Sequence, residues 1–263
     1  MRRSLSNIGC AKEDSLAVYA LLQKYGYAGL EIAPGIFAGD APYDHTAAAA
    51  EKAGELARNY GLAIASMQSI WYGCTGNLFL SQEAEALAAT TEKAVRFAQA
   101  LSCGNLVFGC PKNRRIPQGG SAEDAVPFFA HIAQYAAING TCIALEANPP
   151  VYGTNFCNTS AEAFCFARRV PQLKVNYDLG TLLTNGEDLQ SLADNLALVN
   201  HIHLSEPQLA PIEQNAERRA LHKALAELLR EQGYAGYVSI EMKAQPLAQL
   251  ERILAGAAEV FAW

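Results

Sequence analysis

The chain has 263 residues, 51% of them hydrophobic, with a net charge of −6 at pH 7 and a pI near 5.4. Its lysines and arginines are scattered, which argues against a nucleic-acid partner because binding a phosphate backbone needs concentrated positive charge. No segment approaches the ~20 apolar residues of a membrane span, and the N-terminal MRRSLSNIGC lacks the apolar run of a signal peptide. The seven dispersed cysteines include no CxxC pair and indicate buried free thiols. Together these features predict a soluble cytoplasmic protein with no nucleic-acid or membrane partner.

Short apolar runs alternate with amphipathic segments along the whole chain, and a β-strand is expected at each run. In chain order the predicted strands are Ser4–Ile8, Gly29–Ile32, Leu62–Gln68, Asn105–Phe108, Cys142–Glu146, Leu173–Asp178, Val199–Leu204 and Tyr237–Glu241. The predicted helices are Glu13–Tyr25, Ala47–Tyr60, Gln82–Ser102, Ala122–Asn139, Ser160–Arg169, Asp188–Leu196, Glu213–Gln232 and Pro246–Phe261. Each strand with its helix spans close to the ~30 residues of a βα unit.

Eight such units give either an open doubly wound sheet or a closed barrel. No GxGxxG turn follows the first predicted strand, and no Pro/Gly/Ser-rich linker divides the chain. Helix-end signals agree with the element pattern, with Gly61 after one predicted helix and Ser81 and Thr159 as candidate N-caps. The sequence therefore predicts an α/β fold, a (β/α)8 TIM barrel formed as a single domain by residues 1–263.

The stretch HIHLSE supplies two histidines to one face of the seventh predicted strand. Side chains alternate along a strand, so His201 and His203 share one face while Ile202 and Leu204 share the other. Buried imidazoles need partners. A pair of hydrogen-bonded core histidines and a ligand-binding pair are both compatible with this segment alone.

Other predicted strands end in isolated acidic residues: Glu146, Asp178 and Glu241, with Glu31 on the second strand. Functional groups of a TIM barrel gather at the C-terminal strand ends. Taken singly, such an acid is often only a helix cap or an ion-pair partner. Three carboxylates placed together would raise one another's pKa unless a cation were present, and with His203 they form a ligand set suited to Mn²⁺, Mg²⁺, Co²⁺ or Zn²⁺. The pattern therefore predicts one divalent metal ion.

These motifs resemble those of the xylose-isomerase-like TIM barrels, the sugar phosphate isomerase/epimerase group. The similarity lies in LEANP, NYDLG, HIHLSE and SIEMK, and GYAGLEIAP resembles the second-strand motif of the group. The group includes ketose 3-epimerases, hydroxypyruvate isomerase, inosose dehydratase and the more distant endonuclease IV. The resemblance implies that Glu146, Asp178, His203 and Glu241 are the metal ligands. It also implies that Glu146 and Glu241 are catalytic and transfer protons.

The implied activity is a metal-dependent isomerase or epimerase acting on a sugar, a sugar phosphate or a related keto-polyol, through a metal-stabilised enediolate. Three positions depart from the ketose 3-epimerases, which have histidine, glutamate and arginine where this chain has Thr181, Tyr152 and Leu209. These departures make 3-epimerisation of a free ketose a poor expectation, although the metal set is retained.

The residues predicted to bind substrate lie near the strand ends. They are Glu31, Gln68, Trp71, Arg114, Arg115, Tyr152, His201, Glu206 and Lys243. Arg114 and Arg115 would hold a phosphate or carboxylate, and Trp71 would stack on a sugar, unless they belong to a solvated loop and the core respectively. His45, His131 and His222 lie within or beside predicted helices and are expected at the surface.

Three rival functions remain open at the level of sequence. A lyase that dehydrates a keto-polyol would use the same metal chemistry, and a non-catalytic sugar-binding barrel would use the same fold. An endonuclease-IV-like phosphodiesterase would need more histidine ligands and a basic groove, which five histidines and an acidic chain do not favour. The small-molecule partner expected is a carbohydrate. A homo-oligomer is compatible with such a barrel, but no interface is identified.

Overall fold

Eight parallel strands close into a barrel in the computed structural model, which describes residues 1–262. Each strand pairs with its neighbours in chain order, and β8 returns to β1. The strands are β1 Arg2–Ser6, β2 Gly29–Ile32, β3 Ala63–Met67, β4 Leu106–Phe108, β5 Ile143–Glu146, β6 Lys174–Asp178, β7 Val199–Ser205 and β8 Tyr237–Glu241. The (β/α)8 TIM barrel predicted from the sequence is confirmed.

Ten α-helices connect and surround the strands within residues 1–262. They are α1 Ser15–Lys24, α2 Pro34–Ala38, α3 Thr46–Tyr60, α4 Ser81–Ala100, α5 Val126–Ile138, α6 Ser160–Ala167, α7 Leu179–Asn185, α8 Gln190–Ala193, α9 Ala216–Glu231 and α10 Leu247–Val260. None of them is both long and apolar enough to cross a membrane.

The main hydrophobic core lies between the barrel and the helices. In β7, Ile202 and Leu204 are buried in this layer, whereas His201 and His203 are buried on the other face of the strand. The two-residue period of the strand therefore divides the segment as expected, with aliphatic side chains against the helices and imidazoles inside the barrel.

The structure differs from the predicted elements mainly in short helices. The sequence pattern missed α2 and α7, because a helix of five to seven residues shows too few turns for a clear apolar period. Thr159 caps α6 in a reciprocal capping box with Glu162, as expected. Ser81 is the first residue of α4 and not its N-cap, so that expectation was wrong.

The seven cysteines are all free thiols. The expectation that they are buried holds fully for Cys103 and Cys157, while Cys165 is exposed. Cys165 lies on the short helix α6, which turns some of its side chains toward solvent.

Candidate metal centre

Strand register gathers four potential metal ligands at the C-terminal end of the barrel. Glu146 ends β5, and Asp178 ends β6 directly opposite His203 of β7. His203 in turn lies opposite Ser239, two residues before Glu241 at the end of β8. One ligand atom from each of the four side chains lies within 4.8 Å of the others. Four consecutive strands thus supply three carboxylates and one imidazole to a single point.

The imidazole of His203 is the centre of this cluster. Its Nδ1 lies 2.9 Å from Oε1 of Glu146 and 3.0 Å from Oε2 of Glu241. The histidine side chain is 1% exposed, while the Glu146 and Glu241 side chains are 13% and 11% exposed. A small molecule in the barrel mouth would therefore meet the two glutamates before the imidazole.

The carboxylate of Glu146 is oriented by two amide side chains. Asn176 Nδ2 donates to Oε1 at 2.7 Å, and Asn148 Nδ2 donates to Oε2 at 3.1 Å. Asn148 is itself held by Arg114, whose Nη2 donates to its Oδ1 at 2.6 Å. Hydrogen bonds from both sides fix the carboxylate plane, which is what a metal ligand or a proton-transfer group requires.

Asp178 is held at the start of α7, where it also serves as the N-cap. Its Oδ2 accepts a hydrogen bond from the backbone N–H of Thr181 at 2.7 Å, and its Oδ1 accepts one from the Ser205 hydroxyl. Gly180 makes this approach feasible. A Cβ at that position would lie 2.8 Å from Ser205 Oγ and 3.3 Å from Asp178 Oδ2, which is too close for the present arrangement.

Burial and mutual repulsion make negative charge on the carboxylates of this cluster costly. Burial raises the pKa of Glu241 to about 7 and also raises the pKa of Asp178, and the Glu146 charge acts in the same direction on both. Burial alone would lower the pKa of His203, but the charges of Glu241 and Glu31 hold it well above the usual value. Such a site favours a bound cation. Three oxygen ligands and one imidazole nitrogen fit a divalent metal of the Mg, Mn, Co or Zn type.

A second cluster lies on the opposite side of the same imidazole. Nε2 of His203 is 3.1 Å from Glu31, and Nε2 of His201 is 2.6 Å from the same carboxylate. Burial would raise the pKa of Glu31, yet the charges of His203 and His201 hold it well below its usual range. The Nε2–H of His203 is thus directed at a carboxylate, which leaves Nδ1 free to face the metal ligands. This carboxylate–histidine arrangement is common behind metal-binding imidazoles.

The four potential ligands form part of the wall of a cavity of about 220 Å³ in the barrel mouth. Tyr152 and Leu209, two of the departures from the ketose 3-epimerases, also line it. Gln68 lies in the wall as well and donates through Nε2 to the Ser6 hydroxyl. The third departure, Thr181, orients Asp178 and is buried.

Comparison with known proteins identifies the family of the chain. A family model described as the xylose isomerase-like TIM barrel matches residues 19–262. The chain belongs to this family. No protein of curated function matches the sequence.

Several solved structures share the barrel of this family member. The 3-keto-D-glucoside 4-epimerase from E. coli aligns with a TM-score of 0.75 at 18% identity, covering 99% of this chain and 98% of that one. D-Psicose 3-epimerase with D-tagatose from Clostridium cellulolyticum H10 gives 0.74 at 15% identity, with coverage of 100% and 98%. A protein described as IOLI with a bound zinc atom gives 0.70 at 15% identity, with coverage of 99% and 96%. At these identities the likeness establishes the fold.

The two predicted substrate-binding arginines occupy different environments in this xylose isomerase-like barrel. Arg114 is completely buried, and burial lowers its pKa. Its contact with Asn148 places it behind Glu146 and outside the cavity wall. Arg115 is exposed and donates to the backbone carbonyl of Gly153 at 3.2 Å. Neither guanidinium is among the groups lining the cavity.

Trp71 belongs to the aromatic core in this structure. It is 2% exposed, packs edge-on against Phe108 and Phe128, and donates through Nε1 to Thr91 Oγ1 at 2.9 Å. Ser69, just before it, has a left-handed φ of 53°. This turn redirects the chain after β3, and sequence periodicity does not predict such turns.

The remaining predicted residues lie around the mouth at different depths. Glu206 is buried and pairs with Nε of Arg218 at 2.7 Å, outside the cavity wall. Lys243 lies beyond the end of β8 and is exposed. His45 and His131 are exposed as expected, but His222 is buried on α9, so its surface assignment was wrong.

The sequence-based predictions missed the residues that hold the carboxylates, which are Asn148, Asn176 and Ser205. For Asn176 the two-residue spacing from Asp178 on one strand was a usable signal.

Proposed function

We propose that this protein is a divalent-metal-dependent isomerase or epimerase of a keto-sugar. The observation that carries the proposal is the convergence of Glu146, Asp178, His203 and Glu241 at the base of a 220 Å³ cavity. The four residues would hold the ion. A bound divalent cation would polarise a substrate carbonyl and reduce the cost of negative charge on the adjacent oxygen.

Glu146 and Glu241 are the proton-transfer residues in this proposal. Both contact the same imidazole nitrogen, at 2.9 and 3.0 Å, and both retain access to the cavity. One carboxylate would remove a proton from the carbon beside the carbonyl, and the other would return a proton to the enediolate. Asn148 and Asn176 hold Glu146 in one orientation, so its basic oxygen stays directed at the cavity.

The solved relatives give independent support at the level of reaction class. Two of them are described as sugar epimerases, and a third is described with a bound zinc atom. Keto-sugars present a carbonyl next to a hydroxyl, and both oxygens can approach one cation. The family membership and the ligand geometry therefore favour proton transfer beside a ketone over the other reactions weighed from the sequence.

The test joins metal analysis to solvent deuterium exchange. The purified protein is expected to hold about one equivalent of divalent ion. In D₂O with Mn²⁺ it should incorporate deuterium next to the carbonyl of a turned-over ketose, detected by mass spectrometry. Glu146→Gln and Glu241→Gln should each reduce exchange by about 10²–10⁴-fold, because each removes one proton carrier.

Glu251→Gln is the matched control. That carboxylate lies on α10, pairs with Lys24 at 2.7 Å and does not line the cavity at the metal cluster, so exchange should stay at the wild-type rate. Undiminished exchange in both site variants would refute the two-glutamate mechanism. Loss of a hydroxyl from the substrate, with exchange, would identify a dehydratase instead.

A further inference from the structure

A second, larger cavity lies beside the metal centre. It has a volume of about 600 Å³, within the roughly 300–1,000 Å³ of small-molecule sites. Its walls come from the segments that follow β1, β2 and β3, and α4 adds Thr90. Ser69 lines both this cavity and the 220 Å³ cavity at the metal cluster, which is called the metal cavity below. The two cavities therefore lie next to each other in the barrel mouth.

The wall of this second cavity is mainly apolar. Ile8, Ile36, Pro42 and Ile70 contribute aliphatic surface, and Tyr72 lies at the rim. Ile36 is 41% exposed and Tyr72 is 89% exposed, which leaves large apolar surface in water beside a binding cavity. A sugar ring with its hydroxyl groups gains little from such a wall. Clustered apolar surface of this kind marks a site for an apolar group.

Charge around the two cavities argues against an anionic substrate. Among the described residues that line them there is no lysine or arginine, and the larger cavity contains the carboxylate residue Asp40. Arg114, the expected anion contact, is buried behind Asn148. A phosphate group would therefore find no cation beyond the metal, and binding a phosphate without one is unfavourable.

Together these observations identify the substrate class. We infer that the substrate is an uncharged keto-glycoside, whose sugar lies in the metal cavity and whose apolar aglycone lies in the larger cavity. The inference rests on the proposed function for the keto group and on the second cavity for the aglycone. An apolar group buried there would contribute in proportion to its area.

Binding of unreactive glycosides tests the aglycone site apart from catalysis. Methyl and phenyl β-D-glucopyranoside carry no ketone and cannot react, so ligand-observed NMR with the metal-loaded protein can compare their affinities. The phenyl glycoside should bind about 30-fold more tightly, since its ring would be buried and the methyl group would not. Equal affinities would overturn the inference.

Gly35→Phe is designed to fill the cavity. Gly35 lies in its wall, and a Cβ built there meets no atom within 4 Å, so a larger side chain is tolerated at this position without a backbone clash. The variant should reduce the phenyl preference to near one. Gly104→Phe is the matched control, because Gly104 is equally open but lies before β4 at the opposite end of the barrel. Its preference should equal that of the wild type.

A second variant tests the wall without filling it. Ile36→Asn replaces a partly exposed apolar side chain, so folding should be retained, and the phenyl preference should fall several-fold. A full phenyl preference in both Gly35→Phe and Ile36→Asn would place the ring elsewhere and overturn the inference.

Deuterium exchange on methyl and phenyl 3-keto-glucosides separates the two proposals. A retained phenyl preference, with no exchange on these compounds or on any ketose tested, would refute the enzyme assignment and leave the aglycone site standing.

Discussion

The two nitrogens of His203 face clusters of opposite character. On the Nδ1 side, Glu146, Asp178 and Glu241 place three carboxylates around one imidazole at the edge of a cavity. On the Nε2 side, one carboxylate, Glu31, lies between two imidazoles and is fully buried. The first cluster holds three carboxylates against one imidazole, and it is accessible. The second is balanced internally and closed. The contrast separates the proposed metal site, where carboxylates crowd one another beside a cavity, from a closed polar group behind it.

The largest expected effect is on the free energy of unfolding of the EDTA-treated protein. It should respond very differently when one acid is removed from each of the two clusters. Glu31→Leu should lower the free energy of unfolding by about 3–5 kcal/mol, because it leaves two buried imidazoles without their partner. Glu241→Gln should leave stability unchanged or raise it slightly, because it relieves repulsion among buried carboxylates.

Urea unfolding at pH 8 measures both values. The comparison fails if Glu241→Gln destabilises the metal-free protein as much as Glu31→Leu does. In that case the Nδ1 cluster would be a structural ion-pair network.

A milder substitution at Glu31 should act on the metal. Glu31→Gln keeps the shape of the side chain but removes the charge that faces Nε2 of His203. The imidazole becomes a weaker ligand, and affinity for Mn²⁺ or Zn²⁺ should fall about 10–100-fold. Competition with a chelating dye gives the dissociation constant. Glu251→Gln on α10 again serves as the control, and its metal affinity should be unchanged.

The sequence predicted that these four side chains converge, because their positions depend on strand alternation and on strand ends. Glu146, Asp178 and Glu241 each close an apolar run, and His203 follows from the two-residue period of β7. In a closed barrel these positions converge whatever the loops do. Family resemblance, and not periodicity, selected His203 over His201.

Loop geometry explains most of what the sequence did not predict. Arg114 follows a turn in which Cys110 has a left-handed φ of 43°, and Trp71 follows Ser69 with a φ of 53°. Such turns decide whether a side chain points into the mouth or into the core, and no apolar period reports them. The burial of Glu31 depends on barrel register, which pairs it with Ser6 at the end of β1 and with Ser66 next to the end of β3.

A third buried histidine, His222, extends the comparison, because no carboxylate pairs with it among residues 1–262. Burial, together with the charges of Arg218 and Arg219, lowers the pKa of His222 to about 4. Its Nε2 has no hydrogen-bond partner among residues 1–262. The unfolded chain takes up a proton at this position below about pH 6.5, whereas the folded protein resists it until about pH 4. The contribution of His222 to the free energy of unfolding is therefore constant above about pH 6.5, and it falls as the pH drops below that value.

The slope approaches about 1.4 kcal/mol per pH unit between those limits. His222→Leu should remove that part of the acid sensitivity. Urea unfolding of the wild type and the variant should differ little in pH dependence above pH 7 and diverge progressively toward pH 5. Parallel curves across the whole range would mean that this imidazole is not neutral in the folded protein.

The smallest expected effect concerns the space that the metal cluster needs around Asp178. Gly180→Ala would place a methyl group 2.8 Å from Ser205 Oγ and 3.3 Å from Asp178 Oδ2, so the serine must move and the carboxylate loses a hydrogen bond. Metal affinity should fall about fivefold, equivalent to about 1 kcal/mol, while the charge balance of the cluster is unchanged. Gly104→Ala, where a Cβ meets nothing within 4 Å, should leave the affinity as it is. Equal affinities in the two variants would show that the Ser205 contact does not position Asp178, and that charge alone, without orientation, defines the Nδ1 side of His203.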